Sequence, residues 1–233
     1  MMDEEIQNLF SQSKSIVFLT GAGVSTPSGI PDYRSRNGLY TGNKNAEYYL
    51  SHTCLAQEPD VFYHYVMDNL YKPDAVPNVI HEKQSALTQQ NRATVVTQNI
   101  DNLYRQANTS HLVEFHGNLY QIYCQKCGKY VDWHDYLKSP THENCGGRLR
   151  PDVVLYEEGL NEQKISTSVN ALANADLVAI VGTSMRVYPF AGLLDYRNPS
   201  AKVVVINQEA LQFPFDFTMI QEDASQFFQE LEV

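Results

Sequence analysis

Five short apolar runs constrain the fold of this chain more than any other feature. They are rich in Val, Ile and Leu at successive positions, and they span residues 16–20, 94–97, 112–115, 177–181 and 203–206. Strands that are apolar on both faces are typical of a parallel sheet covered by helices on both sides. Helical spacing at 82–90 and 165–173 supplies crossovers between the runs. The sequence therefore predicts an α/β fold with a doubly wound parallel sheet.

A glycine-rich or polar cluster follows each of the five runs. These clusters are GAGVS from Gly21, TQNID from Thr97, HGN from His116, GTS from Gly182 and NQE from Asn207. Because the carboxyl ends of parallel strands gather along one edge of the sheet, this edge is where a ligand is expected. Any one cluster alone is explained equally well as an ordinary turn, since Gly, Asn and Ser are common turn formers.

Two pairs of metal-binding residue types lie between the third and fourth runs. Cys124 and Cys127 form a C-x2-C pair, and His142 and Cys145 form a second pair, each followed by glycine. Thiolates and imidazole at this spacing predict a closed tetrahedral zinc site. The alternative is a redox pair or idle thiols with a surface histidine at 142. His134 is the substitute ligand if His142 points away.

Charge and composition exclude some classes of partner. The 233 residues carry a formal net charge of −10, so there is no basic footprint for nucleic acid. No apolar run approaches the roughly 18 residues of a membrane span. Four cysteines without an export signal are typical of a reducing compartment. We therefore expect a cytoplasmic protein that binds neither nucleic acid nor membranes, with a monomer favoured.

Seven motifs in one order resemble those of the sirtuins, the NAD-dependent protein deacylases. Besides the cysteine pairs, they are GAGVSTPSGIPDYRS, TQNIDNLY, EFHGN, RPDVV, VGTSMRVYP and VVVINQE, and they span about residues 21–224. The resemblance implies a Rossmann-like NAD-binding domain with two insertions. The segments it implies are 1–35, 82–120 and 150–233 for the NAD-binding domain, 36–81 for a helical insertion beside the cofactor loop, and 121–149 for the zinc module with one structural zinc.

The resemblance also implies which residues bind NAD. They form a phosphate turn, a loop over the nicotinamide ribose, a nicotinamide pocket and an adenosine-side loop: Gly21, Ala22, Gly23 and Ser25; Asp32, Tyr33 and Arg34; Gln98, Asn99 and Asp101; Gly182, Thr183, Ser184, Asn207, Asp223 and Ala224. A local ion pair is the alternative for Asp32 and Arg34. A cap for a closing helix at 225–231 is the alternative for Asp223.

Catalysis is implied at His116 and Asn99. His116 matches the general base of the family, and the unperturbed histidine pKa of about 6.5 suits removal of a proton from a ribose hydroxyl. Asn99 would place the ribose and a water. Val153 and Val154 match the segment that pairs its backbone with an acyl-lysine peptide. Before the resemblance is considered, a strand-end histidine bonded to a neighbouring carbonyl is the better explanation of His116.

The implied reaction consumes NAD and an acyl-lysine protein or peptide, and yields nicotinamide, O-acyl-ADP-ribose and free lysine. Protein ADP-ribosylation is the alternative, and a catalytically silent NAD-binding module is the third possibility. An oxidoreductase is disfavoured because Thr26 stands where the dinucleotide fingerprint has its third glycine.

The chain departs from the family pattern at two positions. Tyr33 replaces the usual phenylalanine, and Glu157 stands where a glycine is common. Relatives that remove acidic acyl groups use a tyrosine and an arginine three residues apart, and segment 61–81 contains tyrosines but no arginine. Acetyl or longer neutral acyl groups are therefore favoured.

Overall fold

The computed structural model describes residues 3–32 and 46–233. Its strands are β1 (Ile16–Thr20), β2 (Ala93–Thr97), β3 (Leu112–Glu114), β4 (Gly117–Cys124), β5 (Tyr130–Val131), β6 (Leu149–Val153), β7 (Leu177–Val181), β8 (Lys202–Ile206) and β9 (Thr218–Ile220). One six-stranded sheet has the order β3-β2-β1-β7-β8-β9, and a three-stranded sheet has the order β5-β4-β6. Every pairing in the large sheet is parallel. The predicted doubly wound α/β fold is confirmed.

Strand β1 lies at the centre of the large sheet, between β2 and β7. Its last residue, Thr20, is level with Thr97 of β2 and with Val181 of β7. From β1 the chain first winds towards β3 and later winds the other way towards β9. The strand order therefore reverses between β1 and β7, and a crevice opens at their carboxyl ends.

Helices cover both faces of the large sheet. The helices of the described residues are α1 (Glu4–Gln12), α2 (Ala46–Tyr49), α3 (His52–Gln57), α4 (Pro59–Asn69), α5 (Val79–Gln89), α6 (Leu103–Gln106), α7 (Trp133–Lys138), α8 (Glu162–Ala173) and α9 (Ala224–Glu230). Helices α1, α5 and α9 share a core with Ile16 and Phe18, whereas α8 and a 3-10 helix at Ala191–Tyr196 share one with Val17 and Leu19. Alternate β1 residues thus enter different cores, which explains why the whole strand is apolar.

The small sheet and helices α2, α3, α4 and α7 form a separate lobe. Its core includes Phe62 and Val66 of α4, Ile122 of β4 and Tyr136 of α7. The small sheet begins at Gly117 and ends at Val153, so it extends beyond both ends of the predicted zinc module. No helix of the described residues is long and apolar enough to cross a membrane.

The backbone that follows β1 touches the backbone that follows β7. The Gly23 N–H donates to the Gly182 carbonyl at 2.8 Å. A Cβ on Gly23 would lie 2.8 Å from Gly182 Cα, and Gly182 itself has a φ of +58°. Only glycines allow this approach without displacing backbone, so these two glycines close the sheet at the crevice.

We expect Gly23→Ala to destabilise the protein. The new methyl group would overlap Gly182 backbone atoms that cannot rotate away, and overpacking of this kind costs about 1–3 kcal/mol. The free energy of unfolding, measured with urea, checks this. Gly159→Ala is the matched control, because nothing lies within 4 Å of its Cβ position. Equal stability of the two variants would contradict the close approach.

Candidate active site

One cavity of about 650 Å³ runs along the carboxyl edge of the large sheet and reaches the small lobe. Most of the residues predicted to bind NAD or the peptide line it. They are Gly21, Ala22, Gly23, Asp32, Gln98, Asn99, His116, Val153, Val154, Gly182, Thr183, Ser184, Asn207, Asp223 and Ala224. The cavity therefore joins the five strand ends to the small lobe, and a dinucleotide and a peptide could meet inside it.

The turn after β1 is held against β7 by its own amides. The Gly21 N–H donates to the Val181 carbonyl at 3.3 Å, and the Gly23 N–H donates to Gly182. These two amides are therefore used within the sheet. Their role is to bring the turn close to the crevice, where backbone without side chains can approach a phosphate.

Side-chain amides connect the ends of β1, β2 and β7. Asn99 Nδ2 donates to the Gly21 carbonyl and to Ser25 Oγ, both at 3.0 Å. Gln98 Nε2 donates to Thr183 Oγ1 at 2.8 Å. Asn99 is only 8% exposed. These bonds brace the three strand ends, so the cavity wall is preorganised.

Ser25 and Asp101 pair with each other. The Ser25 hydroxyl donates to Asp101 Oδ2 at 2.6 Å. Burial raises the pKa of Asp101, while the Ser25 hydroxyl and the Leu103 N–H act in the opposite direction. Neither Ser25 nor Asp101 is among the residues that line the cavity. Their predicted contacts with phosphate and carboxamide stay predictions, and in this structure they support Asn99.

His116 lies on the cavity wall between β3 and β4. Its Nδ1 is 3.2 Å from the Gln98 carbonyl oxygen. A carbonyl can only accept, so Nδ1 carries the proton and Nε2 carries the lone pair. The ring packs edge-on against Phe115 and contacts Phe190 at an angle. The histidine is therefore held in one tautomer and one orientation.

A buried polar network beneath His116 was not identified from the sequence. Asn118 is fully buried and donates to Glu114 at 2.6 Å and to Asn102 at 2.8 Å. Arg105 makes an ion pair with Glu114 at 2.6 Å. These contacts tie the residues that follow Asp101 to the strand that follows His116. The asparagine in the HGN motif was the only sequence signal for this network.

The small lobe contributes an apolar end to the cavity, which sequence reasoning also missed. Its wall includes residues from α4 and its C-cap, the segment after β2, strand β4 and the loop after β6: Phe62, Val66, Leu70, Ile100, Leu119 and Leu155. Helical spacing in α4 places Phe62, Val66 and Leu70 on one face. Apolar residues at this spacing were as consistent with an ordinary core as with a pocket.

A buried ion pair holds the end of β6. Arg150 donates to both Glu158 oxygens, at 2.7 and 3.1 Å, and to the Val153 carbonyl at 2.8 Å. Burial favours a neutral Glu158, but the Arg150 bonds and the Leu155 N–H outweigh it and lower the pKa of Glu158 to about 2. Glu158 is therefore ionised in the folded protein at neutral pH.

The four predicted metal ligands meet in the small lobe. The donor atoms of Cys124, Cys127, His142 and Cys145 all lie within 4.8 Å of one another. Cys145 Sγ is 3.5 Å from Cys124 Sγ and 3.2 Å from His142 Nδ1. Ligands at about 2.0–2.3 Å from a tetrahedral zinc are separated by roughly 3.3–3.8 Å. The cluster therefore fits a structural zinc site.

The surroundings of the cluster also favour metal binding. Burial would raise the pKa of Cys124, but backbone N–H groups of Cys127 and Lys126 and the neighbouring ligands lower it to about 6. This stabilises the thiolate that zinc requires. A Cβ on Gly147 would lie 2.5 Å from Cys124 Sγ, which explains the glycine. His134 instead pairs with Asp132 at 2.5 Å on the surface, so it is not a ligand.

Residues 21–189 match the model of the Sir2 family. The chain belongs to the Sir2 family. It is 65% identical over 227 residues to an NAD-dependent protein deacetylase of Lactiplantibacillus plantarum, with 97% of each chain covered. It is 53% identical over 226 residues to an NAD-dependent protein deacetylase of Listeria innocua, covering 97% of this chain and 99% of that one.

Solved Sir2 structures share the fold. A Sir2 complex with p53 peptide and NAD+ has a TM-score of 0.83 at 31% identity, covering 98% of this chain and 96% of that one. A complex with deacetylated p53 peptide and 3'-O-acetyl ADP ribose has a TM-score of 0.86 at 30% identity, with the same coverage. Sir2 bound to a propionylated peptide has a TM-score of 0.82, again with 30% identity and that coverage.

The adenosine-side residues predicted for this Sir2 chain have structural partners of their own. Asn207 Nδ2 donates to the Glu209 carbonyl at 2.8 Å. Asp223 caps α9 by accepting from the Ser225 N–H at 2.8 Å, so the alternative explanation for Asp223 holds. A residue that lines the cavity can cap a helix and still face a ligand. The contacts of these residues with the adenosine of NAD therefore stay predictions. Tyr33 and Arg34 lie outside the described residues.

Metal analysis of this Sir2 protein should find about one zinc per chain. We expect His142→Ala to reduce zinc retention and the thermal midpoint together, because the histidine is a buried member of the cluster. His134→Ala is the control and should leave both unchanged. A metal-free protein with undiminished thermal stability would contradict the structural zinc site.

Proposed function

We infer that this chain is an NAD-dependent protein-lysine deacetylase. NAD and one water are consumed as co-substrates, and the acyl group of a lysine passes to ADP-ribose with release of nicotinamide and free lysine. One observation carries the inference: His116 and Asn99 line the same cavity as the β1 turn and the end of β6. The two relatives above have this activity in their names, and structural neighbours hold peptide and acetyl ADP ribose.

The crevice between β1 and β7 is suited to the phosphates of NAD. Gly21, Ala22 and Gly23 present backbone without bulky side chains, and Thr183 and Ser184 line the opposite side. The Thr183 hydroxyl accepts from Gln98 Nε2, so its own proton can be donated to an oxygen of the ligand. Asn99 lies deeper, where it orients the ribose that reacts.

His116 acts as the general base. Its Nδ1–H is held by the Gln98 carbonyl, so Nε2 accepts the proton from a ribose hydroxyl. Loss of that proton lets the hydroxyl oxygen attack the acyl carbon once the acyl-lysine is joined to the ribose. The phenylalanine rings beside His116 limit access of water to this part of the cavity. Together these contacts make the ring a fixed proton acceptor.

The acyl-lysine peptide adds to the outer edge of β6. This strand is at the edge of the small sheet in the order β5-β4-β6, with its other edge paired to β4. The Val154 N–H is likewise turned towards the His116 carbonyl, at 2.9 Å. An incoming peptide would therefore pair with those backbone groups of Val153 and Val154 that do not face β4, with little dependence on peptide sequence.

The preferred acyl groups are neutral. Relatives that remove acidic acyl groups use a tyrosine and an arginine three residues apart, but here Val66 stands three residues after Tyr63. Val66 lines the apolar end of the cavity together with Phe62 and Leu70. An acidic acyl group there would have to be desolvated, and the described residues that line this end, Phe62, Val66 and Leu70 among them, are apolar. We expect a peptide panel to show kcat/KM for acetyl-lysine at least about tenfold above that for succinyl-lysine. Equal or faster removal of succinyl groups, scored by mass spectrometry, would contradict this preference.

His116→Ala tests the mechanism. Incubation of the wild type with NAD and an acetyl-lysine peptide should release nicotinamide and O-acetyl-ADP-ribose, and the variant should lose about 10²–10⁴-fold in rate because the base is removed. His111→Ala is the control, since His111 is exposed and bonds to Asn91. Transfer of labelled ADP-ribose to protein without loss of acetyl would instead support the ADP-ribosyltransferase alternative.

A further inference from the structure

The substrate-side loop, residues 154–158, contains an unusual backbone conformation. Glu157 has a φ of +74°. Glycine adopts this region easily, whereas a residue with a Cβ is disfavoured there. Glu157 is exposed, so burial of its side chain does not offset this cost. A glutamate at this position therefore needs a specific interaction to keep the loop in this shape.

That interaction is made with the start of α3. Glu157 Oε2 accepts from the Thr53 N–H at 2.9 Å and from the Thr53 hydroxyl at 2.7 Å. These two hydrogen bonds also lower the pKa of Glu157, so the charged form is the one that is bound. Because acceptor and donors are 104 residues apart in sequence, the contact joins two separate walls of the small lobe.

Backbone hydrogen bonds run beside this contact. The Tyr156 N–H donates to the Leu50 carbonyl, and the His52 N–H donates to the Tyr156 carbonyl, both at 3.0 Å. Leu50 and Leu155 both line the cavity, one on each side of the junction. The position of the loop against α3 therefore sets the separation of these two walls.

The neighbouring Glu158 is bonded mainly to its own strand. Its two oxygens are bonded to Arg150, and Oε2 also accepts from the Leu155 N–H at 3.0 Å, so it fixes the loop onto its own strand. Glu158 also contacts α3 once, through His52 Nδ1 at 3.2 Å from its Oε1. Of the two acids, Glu157 is the one bonded to Thr53.

We propose that Glu157 is a positioning residue for deacylation, which with Thr53 fixes the substrate-side loop against α3 so that the peptide meets a preformed strand edge. The proposal rests on the proposed function. A preformed loop lowers the ordering cost of peptide binding. Loss of the contact should therefore weaken peptide binding, with little effect on NAD binding or on the chemical step.

The competing role for Glu157 is electrostatic. An exposed acid beside the cavity could attract lysine-rich peptides by charge alone. The two roles differ in their dependence on Thr53, which carries no charge. Thr53→Val removes the hydroxyl donor with almost no change of shape, whereas Glu157→Gln removes the charge and keeps an oxygen acceptor.

The test compares Glu157→Ala, Glu157→Gln, Thr53→Val and the Glu157→Ala/Thr53→Val double variant. Glu162→Gln, an exposed acid in the first turn of α8, is the matched charge control. Peptide KM and kcat are measured at saturating NAD with a neutral and a lysine-rich acetyl-lysine peptide. Peptide affinity is also measured by calorimetry, which does not depend on turnover.

We expect Glu157→Ala and Thr53→Val each to raise peptide KM about three- to tenfold for both peptides. Their kcat and their KM for NAD should stay within about twofold of the wild-type values. The double variant should have a peptide KM no higher than that of the weaker-binding single variant, because the effects of coupled residues are not additive. Glu157→Gln should bind more tightly than Glu157→Ala, since it keeps an acceptor.

Two results would overturn the proposal. In the first, Thr53→Val has the wild-type peptide KM, while both Glu157 variants have a raised KM for the lysine-rich peptide only. That result would assign Glu157 to charge recognition. The other is a wild-type KM for all single variants. A wild-type protein that binds peptide without deacetylating it would contradict the proposed function instead, and calorimetry would still measure the positioning effect.

Discussion

The contact between the backbones of Gly23 and Gly182 is the constraint on which the rest of the site depends. The two glycines follow β1 and β7, where the strand order of the large sheet reverses. A side chain on either one would separate the strand ends and change the width of the crevice. Because both positions lack a Cβ, the two turns approach to a 2.8 Å hydrogen bond. The crevice can then present bare backbone to a phosphate.

From this contact a chain of hydrogen bonds leads to the reacting groups. Asn99 braces Gly21, Gln98 braces Thr183, and the Gln98 carbonyl holds His116. The residue proposed to bind the ribose, Asn99, and the residue proposed to accept its proton, His116, are therefore attached to the same segment after β2. Such preorganisation reduces the rearrangement needed during the reaction. The same hydrogen bonds explain why Asn99 is buried although it lines the cavity.

The small lobe supplies the second half of the site, and two different devices keep it in shape. The Cys/His cluster joins both ends of a segment that has little regular structure. The ion pair of Arg150 with Glu158 and the bonds of Glu157 to Thr53 hold the loop after β6. An edge strand needs such support, because within the described residues β6 pairs with a strand, β4, on one side only.

The resemblance of its motifs to the Sir2 family, rather than any spacing, identified His116 as the candidate base. The sequence by itself determined the parallel strands β1, β2, β3, β7 and β8, the glycine-rich turn after β1 and the metal-ligand pairs. These features depend on short-range spacing, such as apolar runs, glycines and C-x2-C pairs, which the chain displays directly. Only the tertiary structure decided that Ser25 bonds to Asp101, 76 residues away, and that Glu157 bonds to Thr53, 104 residues away. Strands β4, β6 and β9 and the polar network around Asn118 also became visible only in three dimensions. Contacts between distant segments leave no local pattern, because their partners are chosen by packing.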